Sequence, residues 1–326
     1  MPLMTEHDTT SYPSSDCVAA PAKVRALVLL ATFNGAGWIQ RQLSSVLAQT
    51  GVNVQIDVRD DGSTDETRAI VAEIASRDSR IRLSADHVSS GSAARNFFRL
   101  VANADVSGFD LVAFCDQDDE WMDDKLARAA HCLAEQGADG YSAAVQAKWE
   151  DGRVKPLLQR PDQRSADYLF EGAGQGCTFV MTAKLFTMVQ SALASASGWL
   201  PSVHYHDWVV YAIARSLGRS WHFDTRAVMT YHQHAGNDTG ARNSMTGVAR
   251  RLALIRRGWY ERQVDGVVAV VRHVNPSDRN ASRWYELRAQ AAPIGFVRRL
   301  VFVLRHGRRR LSDRLILGLA VLTGHL

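Results

Sequence analysis

Four acidic side chains crowd the five positions 116–120 at the end of an apolar run, FDLVAFCDQDDEW (109–121). Gathered in a dry cleft they would repel one another, because unit charges about 4 Å apart interact by roughly 4 kcal/mol at intermediate dielectric. A divalent cation removes that repulsion. Two carboxylates two residues apart at a strand end, Asp116 and Asp118, can hold one while an anionic ligand supplies further oxygens. A bare D-x-D is also the composition of a solvated acidic loop. The apolar run before it and its place at a strand end favour the metal.

A second acidic turn, VRDDGSTDET (58–67), places Asp60 and Asp61 at another strand end. A carboxylate there can accept from a ribose hydroxyl or a base N–H. The same residues make a tight turn, and Ser63 with Glu66 has capping-box spacing. Asp207, in HYHDWVV (204–210), opens a predicted helix whose dipole favours the charged carboxylate; it serves either as a cap or as a base. His232 and His234, in TYHQHAGND (230–238), alternate along a strand and so face one way, which suits joint ligation or a diphosphate contact as well as plain solvation.

The elements that must position these groups are legible from hydrophobic period. KVRALVLLATFN (23–34) predicts a buried strand, GWIQRQLSSVLAQTG (37–51) a helix with a glycine stop, and the alternation of Val54, Ile56 and Val58 a second strand. RIRLSAD (80–86), SAARNFFRLVANA (92–104) and FDLVAFCD (109–116) continue the alternation as strand, helix and strand. Such alternation implies a mostly parallel sheet wrapped by helices, an α/β fold that binds ligands at the carboxyl ends of its strands. Asn34, Asp60 with Asp61, and Asp116 with Asp118 all fall at such ends. Further on, YSAAVQAKW and GCTFVMT predict strands, HDWVVYAIARSLG (206–218) a helix, and SWHFDTRAVMTYHQH (220–234) a hairpin.

Composition excludes several classes. Four scattered cysteines (17, 115, 132, 177) without C-x-x-C spacing argue against a disulfide scaffold or zinc site and fit a reducing, cytoplasmic setting. Residues 1–22 lack a continuous apolar core and predict a disordered tail rather than a signal peptide. The absence of G-x-G-x-x-G and of G-x-x-x-x-G-K-[ST] removes dinucleotide redox and P-loop chemistry.

In order and spacing, ATFNGAGWIQRQLSSVLAQT, DDGSTDET, GSAARNFFRL, FCDQDDEWMDDKL, GQGCTFVM, HDWVVYAIA and TYHQHAGNDTGA resemble a family 2 glycosyltransferase of the Rossmann-like GT-A fold. NFFRL, DQDDEW and the histidine segment most resemble its bacterial rhamnosyltransferase branch, which builds surface polysaccharide. The resemblance spans roughly the first 240 residues, implying a catalytic domain over 23–240; the arginine-rich amphipathic pattern that follows predicts a C-terminal helical extension over 241–326. It implies that Thr32, Asn34, Asp60, Asp61, Arg95, Asn96 and Asp116 line the nucleotide-sugar site. Asp116, Asp118 and His234 would hold Mg²⁺ or Mn²⁺, and Asp207 would be the general base of a single inverting displacement. Gly174, Gln175, Gly176 and Trp208 would meet the acceptor. His232 stands where that branch often has Arg, which weakens an expected cationic contact to the diphosphate. The favoured donor is dTDP-rhamnose and the acceptor a glycan or glycolipid; a UDP-hexose or furanose donor, nucleotidyl transfer and a non-catalytic binding protein are the alternatives. Nucleotidyl transfer wants a basic glycine-rich loop after the first strand, but no Lys or Arg occurs there before Arg41. A non-catalytic protein would have lost Asp118 or Asp207.

The processive Q-x-x-R-W signature is absent, since Asn occupies position 280 ahead of Arg283 and Trp284. Residues 241–326 hold 17 Arg, no Lys and five acids, against a formal charge of +4 for the whole chain. Phe296, Val297, Leu300, Val301, Val303 and Leu304 form an apolar face broken by Arg298, Arg299 and Arg305. That pattern suits peripheral contact with the anionic inner face of a membrane, packing on the catalytic domain, or a homodimer. Nucleic acid is not expected, because base-reading and aromatic motifs are missing.

Overall fold

The computed structural model describes residues 23–233 and 258–326. The predicted tail (1–22), the expected domain boundary near 240 and His234 lie outside the described residues. The chain opens with β1 (Val24–Thr32), α1 (Ile39–Leu47), β2 (Val52–Asp60), α2 (Thr67–Arg77), β3 (Ile81–Leu83), α3 (Ala93–Asn103) and β4 (Leu111–Cys115). These are the predicted elements, and their strands pair in parallel in the order β3-β2-β1-β4. Strand order therefore reverses between β1 and β4, which opens a crevice at their carboxyl ends.

The second half departs from a parallel sheet. β5 (Asp119–Trp121), α4 (Lys125–Gln136), β6 (Gly140–Trp149), β7 (Val154–Leu157), β8 (Val180–Thr182), α5 (Ala183–Ser195), α6 (His206–Ser216) and β9 (Trp221–Gln233) follow. The sheet continues β4-β8-β6-β9-β5, with β7 on β6. β8 is antiparallel to β4 and β6, and β5 is antiparallel to β9, so the fold is a mixed α/β sheet of GT-A type. GCTFVMT contributes a strand only from Val180; Gly176–Thr178 forms a 3-10 turn instead.

The hairpin expected over 220–234 does not form. β9 is one strand, parallel to β6 along its length, with register shifts between Asp224 and Ala227 and between Ala227 and Thr230. The turn-like residues Asp224–Arg226 make a bulge held by side chains, since Asp224 accepts from Tyr141 Oη at 2.8 Å and from Arg128 NH2 at 2.9 Å. The capping box expected of Ser63 and Glu66 is also absent. Ser63 donates to Asp60 Oδ1 at 2.5 Å, and α2 is started by Asp65, which accepts from Thr67 N at 3.0 Å and from Ala36 N at 3.1 Å.

β1 explains the two-sided core. Leu27, Leu29 and Ala31 face one side, Ala26, Val28 and Leu30 the other, and all are buried. α1, α2 and α4 cover the second side; α3, α5 and α6 cover the first. That first side also takes the C-terminal helices α7 (Trp259–Val274), α8 (Arg279–Ala289), α9 (Ile294–His306) and α10 (Leu311–Leu322). Val264, Val271, Trp284, Val303 and Val321 are buried against the same core as α6, so the arginine-rich end is packed on the sheet-bearing body. Among the described residues no helix is long and apolar enough to cross a membrane.

Candidate active site

Three strand ends supply the site. Thr32 closes β1, Asp60 closes β2, and Asp116 follows β4 directly. The loop 116–118 is short because β5 begins at Asp119, where pairing with Tyr231 of β9 fixes it. Gln117, between the two aspartates, reaches back over β1. Its Oε1 accepts from Thr32 Oγ1 at 2.7 Å and Phe33 N at 2.8 Å, while its Nε2 donates to Phe33 O at 3.0 Å. A Cβ at Gly35 would lie 2.2 Å from Gln117 Oε1, so a larger residue there would displace the Gln117 amide from these bonds.

The carboxylates converge. Burial, then the charges of Asp118 and Asp207, push the Asp116 carboxyl up to about 7. Asp119 is buried, neither of its oxygens receives a hydrogen bond from a nitrogen or oxygen donor, and burial followed by Asp118 and Asp116 raises it strongly. Asp116, Asp119 and the Cys177 thiol offer donor atoms within 4.8 Å of one another. The buried cation beside them is Lys125. Its Nζ donates to Cys177 O at 2.7 Å and lies 3.1 Å from the Trp121 ring centroid, and burial lowers it to about 8.

A divalent cation fits this set on the evidence of Asp119, whose buried oxygens have only the weak Cys177 S–H donor and the charge of Lys125 to offset their desolvation. Carboxylate oxygens suit Mg²⁺ or Mn²⁺ better than the Cys177 thiol, a softer donor whose ionisation burial opposes. Asp119, Cys177 and Lys125 were not singled out as site residues from sequence. Asp119 stood in the acidic run; the other two reach the site only through β8 and α4.

Asp207 sits in the first turn of α6, where Trp208 N donates to its Oδ1 at 2.7 Å. Its neighbour His206 stacks on Phe97 with ring centroids 3.9 Å apart, and burial lowers its pKa to about 3. Gly176 abuts both, and Gly174 takes φ +115, a conformation that favours glycine. Gln175 Oε1 accepts from Gln159 Nε2 at 2.9 Å, and Trp208 is buried with its Nε1 donating to Tyr168 O at 2.8 Å.

After β1, Asn34 takes φ +48 and its Oδ1 accepts from Thr64 N at 2.8 Å. Asp61 and Asn96 lie deeper. Buried Arg59 donates to both at 2.8 Å, and Asp61 also accepts from Ser90 N at 2.7 Å. Asn96 Nδ2 donates to Thr32 O and Arg59 O at 3.3 Å, so this pair holds the strand ends in register. Arg95 is exposed at the start of α3. His232 is buried on β9, 3.8 Å from Glu120 and with its ring 5.2 Å from that of Trp38.

A family model described as glycosyl transferase family 2 matches residues 27–191. The dTDP-rhamnosyl transferase RfbG of Shigella flexneri is 36% identical over 236 residues, covering 72% of this chain and 82% of that protein. Among solved structures, S. aureus TarS 1-349 in complex with UDP-GlcNAc aligns with a TM-score of 0.52 at 16% identity, covering 93% of this chain and 88% of that one. Mannosyltransferase PcManGT from Pyrobaculum calidifontis, in complex with GDP-Man and Mn2+, aligns with a TM-score of 0.52 at 15% identity, covering 94% and 88%. At these identities the structural likeness speaks for the fold alone.

Proposed function

The chain belongs to glycosyl transferase family 2, and from that premise we propose an inverting, metal-dependent enzyme that moves L-rhamnose from dTDP-rhamnose to a hydroxyl of a lipid-linked or growing polysaccharide. It is a glycosyltransferase of polysaccharide synthesis; donor, stereochemistry and metal are the proposal. The observation that carries it is the convergence of one helix-borne carboxylate, Asp207, on the acidic cluster at the β1/β4 crevice, close enough to raise Asp116.

Thr32, Asn34 and Asp60 are proposed to line the base and ribose, with Asp61 and Asn96 holding those residues through Arg59. Arg95 is proposed to reach the donor from the start of α3. Asp116, Asp118 and Asp119 would hold Mg²⁺ or Mn²⁺, which when bound supplies charge neutralisation to the departing diphosphate. His234 is retained as a further contact to that group. Asp207 takes the proton of the acceptor hydroxyl as its oxygen forms a bond to the anomeric carbon. The bond from that carbon to the diphosphate breaks on the opposite face, and the electron pair leaves with dTDP. One displacement of this kind inverts the carbon and requires a single base. Gly174, Gln175, Gly176 and Trp208 border the acceptor side of Asp207. Donor choice rests on the likeness to RfbG over most of the chain.

Turnover across a panel of nucleotide sugars, with Mn²⁺ or EDTA, tests it. Metal-dependent hydrolysis selective for dTDP-rhamnose and lost in Asp118→Ala is expected. Selective use of another donor would overturn the rhamnose assignment, and binding of no nucleotide sugar would overturn the whole.

A further inference from the structure

α9 and α10 lie side by side. A Cβ at Gly318 would meet Leu300 Cδ1 at 3.2 Å and Leu304 Cδ2 at 3.4 Å. One side of the pair enters the core through Phe302, Val303, Leu317 and Val321. The other side presents Val297 and Val301 on α9, and Leu311, Leu315, Leu319 and Leu322 on α10, each between 43% and 62% exposed. Their spacing of three or four residues makes one apolar stripe per helix. Solvent does not favour such a stripe, and a surface of this kind marks a docking face.

Beside the first turn of α10 opens a cavity of about 760 Å³, lined by Arg160, Arg164, Arg309, Arg310 and Arg314 with a single carboxylate, Asp162. Arg309 is neutralised by Asp167 at 2.9 Å and Glu171 at 3.5 Å. Among the described residues no ion pair engages the other four arginines, and the buried Nε of Arg314 has no acceptor. The cavity is therefore positive, and its shared ligand chemistry is a phosphate or diphosphate anion. Packed residues connect its wall to the turn that bears Asp207. Arg309 NH2 donates to Gly172 O at 2.6 Å, and a Cβ at Gly172 would lie 3.3 Å from Trp208 Cα, the residue after Asp207.

We propose that this cavity takes the phosphate or diphosphate headgroup of the membrane lipid that carries the acceptor glycan, with the leucine stripe of α10 laid into the bilayer. The inference rests on the transferase reading above and adds to it the place where the lipid docks. Charge favours lipid over a second copy of the chain. α9 and α10 carry one acid, Asp313, engaged by Arg308 at 3.8 Å, while Arg298 and Arg305 are exposed beside the stripe. A twofold contact through this face would set arginine against arginine, whereas an anionic bilayer pairs with them.

The test is co-sedimentation of the full chain with three vesicle types: phosphatidylcholine alone, phosphatidylcholine with phosphatidylglycerol, and the same charge density supplied by a long-chain polyprenyl diphosphate. Binding is expected to strengthen in that order. Arg164→Ala with Arg310→Ala should lose the preference for the diphosphate lipid, about fivefold per arginine. Leu315→Ser with Leu319→Ser should weaken binding to all anionic vesicles while leaving donor hydrolysis intact. Thermal unfolding of each variant separates misfolding from lost docking, and single variants at the same positions serve where a pair unfolds. Equal sedimentation with neutral vesicles, binding of inorganic pyrophosphate without any vesicle preference, or self-association abolished by the leucine pair would each overturn the proposal. Wild-type donor turnover without vesicle binding would sink this docking alone and leave the transferase standing.

Discussion

Gly176 is pressed against the carboxylate-bearing turn of α6: a Cβ at 176 would stand 2.9 Å from Asp207 Cβ and 3.0 Å from His206 Nε2. Real Cβ contacts are essentially never that short. The glycine therefore sets how close the 174–176 loop comes to Asp207. Gly176→Ala is expected to push Asp207 out of line and lower kcat about 100-fold, with donor Kd within about twofold. Steady-state kinetics beside donor titration checks this; an unchanged kcat would mean that the loop has slack.

Asp119 makes a separate prediction about the metal. With no nitrogen or oxygen donor to its buried oxygens, it gains most from a cation. Saturating Mn²⁺, near a hundred times its Kd, should stabilise the wild type by about 2.7 kcal/mol. Asp119→Asn should lose most of that gain in a thermal unfolding series with and without Mn²⁺. An undiminished gain would place the metal elsewhere.

His206 gives the fold an acid limit. Its pKa is about 3 when folded and near 6.5 when unfolded, because burial disfavours the cation. Between these values the unfolded chain binds a proton that the native state does not. Its contribution is therefore complete above pH 6.5 and is lost as pH falls toward 3, at up to about 1.4 kcal/mol per pH unit. His206→Phe, which can keep the stack on Phe97, should flatten that slope in denaturant titrations at pH 7, 6 and 5.

Asp167 is fully buried and shared by Arg215 at 3.0 Å, Arg309 at 2.9 Å and Tyr211 Oη at 3.0 Å. Arg309 thereby ties the loop before α10 to Asp167 and to the backbone at Gly172. Arg309→Ala leaves a buried charge undercompensated and should cost about 3–5 kcal/mol of stability. Chemical denaturation measures it, and a loss below about 1 kcal/mol would show the network to be dispensable.

Much of this was legible where local chemistry and tertiary structure agree. The continuous burial of β1 and the acids at the ends of β2 and β4 follow from apolar run and position. Failures came where long-range partners decide. Asp224–Arg226 looks like a hairpin turn, yet Arg128 and Tyr141 convert it into a bulge within one strand. Ser63 has the spacing of a cap, but Asp60 and Asn34 claim its hydroxyl and leave α2 to Asp65. Lys125 and Cys177 carry no local signal, since only the antiparallel return of β8 beside β4 brings Cys177 to the acidic loop, where the first residue of α4, Lys125, donates to its carbonyl.

The most direct test compares Asp207→Asn with wild type for transfer under single-turnover conditions and for donor and Mn²⁺ affinity by titration. A base that acts only on the acceptor proton predicts transfer slowed about 10²–10⁴-fold, with donor and metal bound within about twofold of wild type or tighter. Transfer at the wild-type rate, or a loss of donor binding equal to the loss of rate, would contradict that role for Asp207.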